Sequence, residues 1–345
     1  MHPSDPALVA PDTGRKADHL RIAAGPGIEH AGGTGLETMR LRHRALPESD
    51  LANVELTTEL LGARLAAPLV VSAMTGGTPE AETINARLAR AATTHDIALT
   101  LGSGRPLLDD PGLLRTYRGP ARPPLLLANL GAAQVSGRDG VQRAQRLVEL
   151  LGADGLSIHL NPIQEAVQPE GEPRFAGVAE RIAALVAHLA PLPVVVKEVG
   201  FGMDPDDVRL LARAGVAAVD VAGAGGTNWA LVEGRRAPEA GALSAAFGDW
   251  GVPTATALAG ALAAAPGLPV IASGGLRDGV DLAKCLALGA RAGGIARPFL
   301  LAAQADRAAE AIGAVICQLR IAVWASGHAS AAELGPGALL REPVA

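Results

Sequence analysis

Residues 159–171 read HLNPIQEAVQPEG. An apolar, strand-like run, GLSIHL, passes straight into a histidine, an asparagine, two glutamines and two glutamates. What so much polar chemistry at the end of an apolar strand does depends on where that strand sits. Two further stretches suit an anion. IASGGLRDG (271–279) and GGIARPF (293–299) both bring glycine and small residues up to a helix start. Glycine lets backbone N–H groups approach a phosphate, and a helix N-terminus adds a favourable dipole. Lys197 stands inside the apolar run VVVKEVG. A buried lysine needs an anionic partner, either Glu198 or Asp220 in an ordinary ion pair or an anionic ligand.

Such residues act together only if a scaffold gathers them. From about residue 67, eight short apolar runs alternate with helical stretches: 67–74, 97–103, 124–130, 155–161, 193–199, 217–223, 269–275 and 293–299. Each is nearly continuous in Val, Ile, Leu or Ala, the pattern of a parallel strand covered on both faces. The intervening segments, such as EAETINARLARAATTH and DGVQRAQRLVELLGA, have helical periodicity, and several close on Gly. Eight βα units predict a closed (β/α)8 TIM barrel rather than an open doubly wound sheet. The absence of GxGxxG after the first strand weakens a dinucleotide-binding reading further. Residues 1–65 read as a loop-dominated N-terminal arm, 66–325 as the barrel and 326–345 as a C-terminal tail. Residues 227–253 form a long insert after strand six.

In a barrel the site lies at the C-terminal strand ends. Read in order, these ends carry Met74-Thr75-Gly76-Gly77, Gly102-Ser103-Gly104-Arg105, Asn129, His159 to Glu165, Lys197-Glu198, Gly225-Gly226-Thr227, Ser273 to Arg277, and Ala296-Arg297. Polar chemistry at nearly every end is a site hypothesis. Phosphate sites recur after strands seven and eight of barrels. With that signature, the anion facing Lys197 is read as the electron-rich N1–C2 edge of a reduced flavin.

Composition narrows the partners. Net charge is −5 and charged residues are 19%, so no strong basic face is expected and nucleic acid is disfavoured. Cys285 and Cys317 lack metal-ligand spacing and are expected to pack as small apolar residues in a reducing, cytoplasmic compartment. The first twenty residues lack a basic segment followed by an apolar one, and the apolar runs are short and broken. Neither a signal peptide nor a membrane span is expected.

The motifs MTGG, GSxR, ANLGA, HLNPIQEAVQPEG, KEVGFG, DVAGAGGTNW, FGDWGVPT and GGLRDGVDLAKCLALGA, with Arg15-Lys16-x-x-His19, resemble type 2 isopentenyl-diphosphate Δ-isomerase from about residue 15 to 325. HLNPIQE, QPEG and GGTNW are highly specific, whereas many FMN barrels share GGLRDG. The resemblance implies an enzyme that interconverts isopentenyl and dimethylallyl diphosphate in isoprenoid biosynthesis. It needs reduced FMN and Mg²⁺, with NADPH as reductant. It also implies a homo-oligomer, tetramer or octamer. By resemblance, FMN would be held by Ala73, Met74, Thr75, Ser103, Asn129, Lys197, Thr227, Gly274, Gly275, Leu276, Arg277, Ala296 and Arg297. Arg15, Lys16, Ser103, Arg105, His159, Asn161 and Gln164 would face the diphosphate substrate, and Glu165 would hold Mg²⁺. One departure is Gly104, where the family usually has Gln.

Isomerisation adds a proton at one carbon and removes one from another, so a strong acid/base must be set against the alkene in a dry pocket. The resemblance assigns that role to reduced FMN at N5. Gln164, His159 and Glu233 are the side-chain candidates for orienting or relaying. Glu233 also reads as a surface carboxylate paired with Arg235 or Arg236, and His159 as a core histidine. Trp229 and Trp250 could wall the pocket or merely pack. The nearest rival is an FMN-dependent 2-hydroxy-acid oxidase or dehydrogenase, which requires a His and an Arg in an HGGR-like run after strand six; AGAGGTNW has neither. A nucleophilic cysteine is disfavoured because neither cysteine lies on a strand-end loop. A flavin- or phosphate-binding regulatory barrel is disfavoured by HLNPIQE with Glu165 intact.

Overall fold

The computed structural model describes residues 13–137 and 139–341. Eight parallel strands close into a barrel: β1 (Leu69–Val71), β2 (Ala98–Thr100), β3 (Leu126–Gly131), β4 (Gly155–His159), β5 (Val194–Lys197), β6 (Ala218–Asp220), β7 (Val270–Ala272) and β8 (Ala292–Ile295). Every apolar run read from the sequence overlaps one of them, although β3 ends one residue past its run, at Gly131, and β8 begins one residue before its run, at Ala292.

The period-two alternation of a strand explains why the barrel ends in a site. The inner cluster of the lower barrel includes Val70, Ala98, Leu127, Val195, Ala218, Ile271 and Ala292. Two residues further along each of these strands stand Ser72, Thr100, Asn129, Lys197, Asp220, Ser273 and Gly294. All but the glycine are buried polar residues. The inward face thus switches from apolar to polar one layer up. The alternate residues, among them Val71, Leu99, Ala128, Ile158, Val196 and Val219, pack outward in the main core.

The helices follow their local signals. Pro79–Thr94 begins at Thr78, whose side chain accepts from Ala81 N–H. Gly140–Leu151 stops at Gly152 (φ 57°), where a residue with Cβ would be strained. Among the described residues one helix, Ala308–Ala325, is long and apolar enough to cross a bilayer by length and composition, which the broken apolar runs had not suggested. Its Ile312, Val315, Leu319 and Val323 are buried in the core.

The arm differs from a loop-dominated segment. It carries an arm helix, Thr13–Ala24, with Arg15, Lys16 and His19 on it. A hairpin, Thr58–Leu60 with Ala63–Leu65, inserts Leu60 and Leu65 into the inner apolar cluster. Met39–Leu41 pairs antiparallel with Leu339–Arg341, so arm and tail join. The insert after β6 holds the insert helix Trp229–Arg236 and a shorter helix, Gly241–Ala245. Cys285 is buried as expected, but Cys317 is exposed. Trp250 is 57% exposed and packs edge-on against Phe247 rather than walling a pocket.

Candidate active site

The strand tips, the arm helix and the insert enclose a cavity of about 400 Å³. Every residue singled out above for cofactor, substrate or metal lines it, including Arg15 and Lys16 from the arm. Glu233 is absent from the lining and lies behind Gln164.

On the floor, Lys197 is 8% exposed. Its ammonium donates to Glu198 O at 2.5 Å. Neither neighbouring carboxylate pairs with it. Glu198 Oε2 accepts from Val199, Gly200 and Phe201 N–H at 2.6, 2.6 and 2.5 Å. Asp220 Oδ1 accepts from Ser273 Oγ at 2.6 Å. Burial pushes the Glu198 carboxyl up to about 7 despite those backbone donors and the Lys197 charge. Among the described residues, a buried cation therefore faces the cavity without a carboxylate within ion-pair distance. The ordinary ion pair with Glu198 or Asp220 does not form.

His159 Nδ1 lies 3.0 Å from Asn129 Oδ1. With a carbonyl oxygen as partner, Nδ1 carries the proton. Burial first, then the charges of Lys197 and Lys16, hold the imidazole down at about 3. His159 is neutral at pH 7, so before a ligand arrives it presents a bare Nε2 rather than a cation.

Gln164 and Glu165 sit in the short helix Pro162–Val167, which starts where β4 ends. Asn161 Nδ2 donates to both Gln164 Oε1 and Glu165 Oε1 at 3.0 Å. Glu165 Oε2 accepts from Gln168 Nε2 at 2.8 Å and Glu172 N–H at 2.7 Å. Gln164 Nε2 donates to Glu233 Oε1 at 2.8 Å. The arm's His19 Nε2 stands 2.9 Å from that same oxygen, and Arg236 Nε binds Oε2 at 2.8 Å. Burial would raise the Glu233 pKa, but the contacts with His19, Gln164 and Arg236 bring it down to about 2. Glu233 is thus neither a surface carboxylate nor an acid at neutral pH. It is a buried anion that ties the arm, the insert and the β4 helix together.

Three contributors were not singled out in the sequence. Tyr117, the only tyrosine in the chain, is fully buried. Its hydroxyl donates to Ser103 O at 2.8 Å, and Lys16 Nζ donates to Ser103 O at 2.7 Å and to Tyr117 Oη at 3.2 Å. Asn85 Nδ2 ties Thr75 O (3.0 Å) to Thr116 O (2.8 Å), bracing the β1 loop. Gln168 holds Glu165. The rarity of tyrosine was the one available signal, and it names no partner.

At strand seven, Gly274 and Gly275 both have positive φ (96° and 79°) and lie where a Cβ would strike the strand-six turn. Arg277 is 65% exposed and paired with Asp281 at 2.9 Å. Arg297 begins the helix Arg297–Gln304 but turns its guanidinium to the arm: Ala23 O at 2.9 Å, Gly25 O at 2.8 Å and Glu29 Oε1 at 2.8 Å. At Gly104 a Cβ would meet Leu147 Cδ1 at 2.4 Å, so Leu147 fills the space a longer residue would take.

This closed barrel with its site at the strand tips belongs to the FMN-binding class: the sequence profile described as FMN-dependent dehydrogenase matches residues 161–341. Among solved structures, an oxidised active mutant of (S)-mandelate dehydrogenase shares the fold with a TM-score of 0.67, 19% identity, and coverage of 94% of this chain and 99% of that one. The isopentenyl-diphosphate delta-isomerase of Xanthobacter autotrophicus is 49% identical over 96% of this chain and 97% of its own length. That of Stutzerimonas stutzeri is 48% identical over 95% and 96%. The chain belongs to the type 2 isopentenyl-diphosphate delta-isomerase family.

Proposed function

We propose that this chain interconverts isopentenyl and dimethylallyl diphosphate in one cavity with two anion seats. The lower seat is for FMN and the upper for the substrate diphosphate. The observation that carries the reading is the arm helix: seating Lys16 on Ser103 O brings Arg15 and Lys16 over the same cavity that Arg105 lines from β2.

The residues fit a flavin. Lys197 is a buried cation that awaits an anion, and the Gly274-Gly275 turn and the helix starting at Arg297 suit a phosphate through backbone N–H groups. Ala73, Met74, Thr75, Ser103, Asn129, Thr227, Leu276, Arg277 and Ala296 would complete that seat. Reduced FMN, when bound, supplies the proton-transfer chemistry at N5. NADPH is the reductant this reading expects.

The residues also fit Mg²⁺ held mainly by its substrate. Among the described residues no group of three or more His, Cys, Asp or Glu could cage a metal. Glu165 would therefore supply one carboxylate, with diphosphate oxygens and waters filling the remaining positions, the usual manner for Mg²⁺. Asn161, Gln168 and the Glu172 N–H orient that carboxylate.

The chain's own part is to bind, orient and exclude water. Arg15, Lys16 and Arg105 neutralise the diphosphate. Gln164, clamped between Asn161 and Glu233, presents a fixed amide and orients the alkene or relays a proton. His159 is neutral in the free protein, and the anionic substrate would draw it towards the charged form. Trp229 and Leu20 line the apolar side. We place the enzyme in the cytoplasm as a homo-oligomer, tetramer or octamer.

The second reading, an FMN-dependent 2-hydroxy-acid dehydrogenase, draws on the barrel's likeness to mandelate dehydrogenase. The cavity's histidines are His159 and His19, and the β6 end contributes Gly225, Gly226 and Thr227. That end lacks the His and Arg the reaction needs. The test is anaerobic incubation with isopentenyl diphosphate, Mg²⁺, FMN and dithionite. Dimethylallyl diphosphate that depends on flavin reduction and metal is expected. No product, with flavin instead reduced by a 2-hydroxy acid, would overturn the isomerase reading.

A further inference from the structure

We propose that the Arg297 side chain is a positioning residue for the substrate arm rather than a ligand of the flavin phosphate. This rests on the reading that Arg15 and Lys16 face the diphosphate. Residue 297 stands at the start of a helix after β8, where the backbone suits a phosphate. Its side chain nonetheless leaves that position. The guanidinium fork takes Ala23 O, Gly25 O and Glu29 Oε1, all in the arm and all within 2.9 Å.

The chemistry at the other end needs this. The last carbonyls of a helix have no intrahelical donor, and a cation there is favoured by the helix dipole. Ala23 and Gly25 lie at the C-terminus of the arm helix, which ends at Ala24. A helix of 12 residues is marginal alone, and only Leu20 and Ile22 of this one are buried apolar anchors. Its docking therefore leans on polar clamps. Arg297 holds the turn from the barrel side, while Arg235 of the insert donates to Pro26 O and Gly27 O from the other. Arginine suits this role because one planar group serves two carbonyls and a carboxylate; lysine has no such fork. Residue 297 thus joins the phosphate-facing loop to the arm: its backbone serves one ligand seat and its side chain the other.

The test uses the FMN-loaded full-length protein. Arg297→Gln should speed tryptic cleavage at Arg15, Lys16 and Arg21 about tenfold by freeing the arm helix to open. It should raise KM for isopentenyl diphosphate about fivefold or more while kcat and FMN affinity stay within about twofold. Arg297→Lys should restore only part of the KM. Glu29→Gln, which leaves the guanidinium and its two carbonyls in place, should give a smaller shift in the same direction and stands in if Arg297→Gln fails to fold. A Kd for FMN weakened about tenfold with unchanged arm cleavage would make Arg297 a phosphate ligand and overturn the proposal. Lys16→Met separates the two claims. If it raises KM while Arg297→Gln does not, the positioning role falls. If Lys16→Met leaves KM unchanged, the substrate-arm reading fails, and the cleavage rate still decides whether Arg297 clamps the arm.

Discussion

Gln164 donates its side-chain amide to Glu233 across 2.8 Å, although the two residues are 69 positions apart. Glu233 is fully buried, so an ionised acceptor fixes the amide with its nitrogen inward and its oxygen towards Asn161. Glu233→Gln would put two amides face to face and loosen that choice. We expect kcat to fall about tenfold to a hundredfold because the amide's orientation is lost, and KM for isopentenyl diphosphate to rise as well, because His19 of the arm loses its anionic partner. The same carboxylate carries a pH signature. Its pKa is lowered from 4.5 to about 2 on folding, so its stabilising contribution is complete above 4.5 and is lost as pH falls towards 2. Denaturation midpoints of wild type and Glu233→Gln should converge across that window. A constant gap would count against the pairing.

His159 carries a pH signature of the same sign over a higher window. Folding lowers its pKa from 6.5 to about 3, so the unfolded chain binds a proton between those values that the native chain does not. Stability is therefore complete above 6.5 and declines as pH falls towards 3. His159→Gln, which keeps a donor for Asn129, should flatten the decline between pH 6.5 and 5. Titration of the His159 ring by NMR in the free protein should show no transition near 6.5. A normal transition there would mean that the side chain is not held neutral.

Lys197→Met removes the floor cation while keeping its stem. If the ammonium faces the anionic flavin edge, FMN affinity should fall about tenfold or more and the bound flavin should become harder to reduce. Titration of the apoprotein and potentiometry measure the two effects. Unchanged affinity and potential would return Lys197 to a purely structural place.

Glu165→Gln keeps the shape of the Mg²⁺ candidate and removes its charge. Activity should drop by about a hundredfold and lose its Mg²⁺ dependence, because a neutral amide is a poor ligand for a hard dication. The flavin spectrum should be unaltered. Full Mg²⁺-dependent turnover in this variant would reject the role.

Gly104→Gln restores the residue usual in the family at the cost of a clash, since Leu147 is fully buried and occupies the site of the new Cβ. Overpacking of this kind costs about 1–3 kcal/mol. Adding Leu147→Ala should recover part of the loss in thermal denaturation, and non-additivity between the two substitutions is the diagnostic. Additive losses would mean that Leu147 is not what excludes the side chain.

The barrel and most of the cavity were legible in the chain because both follow from short-range patterns. Each strand is an apolar run bounded by turn residues, and period-two alternation carries the inward face from Val195 to Lys197 or from Ile271 to Ser273 in a single step. Once eight such runs close, their ends must converge, so reading the ends in order located the floor of the site. Tertiary structure alone decided the rest. That Gln164 is held by the buried Glu233, that Tyr117 supports Lys16 and that Arg297 serves the arm rest on contacts between residues 69, 101 and 274 positions apart. Local composition cannot choose among several arginines and carboxylates for such pairings, because each could form an equally good pair elsewhere. Packing of the arm helix against the barrel tip removes that degeneracy, since only there do desolvation and fixed backbone acceptors make one partner better than water.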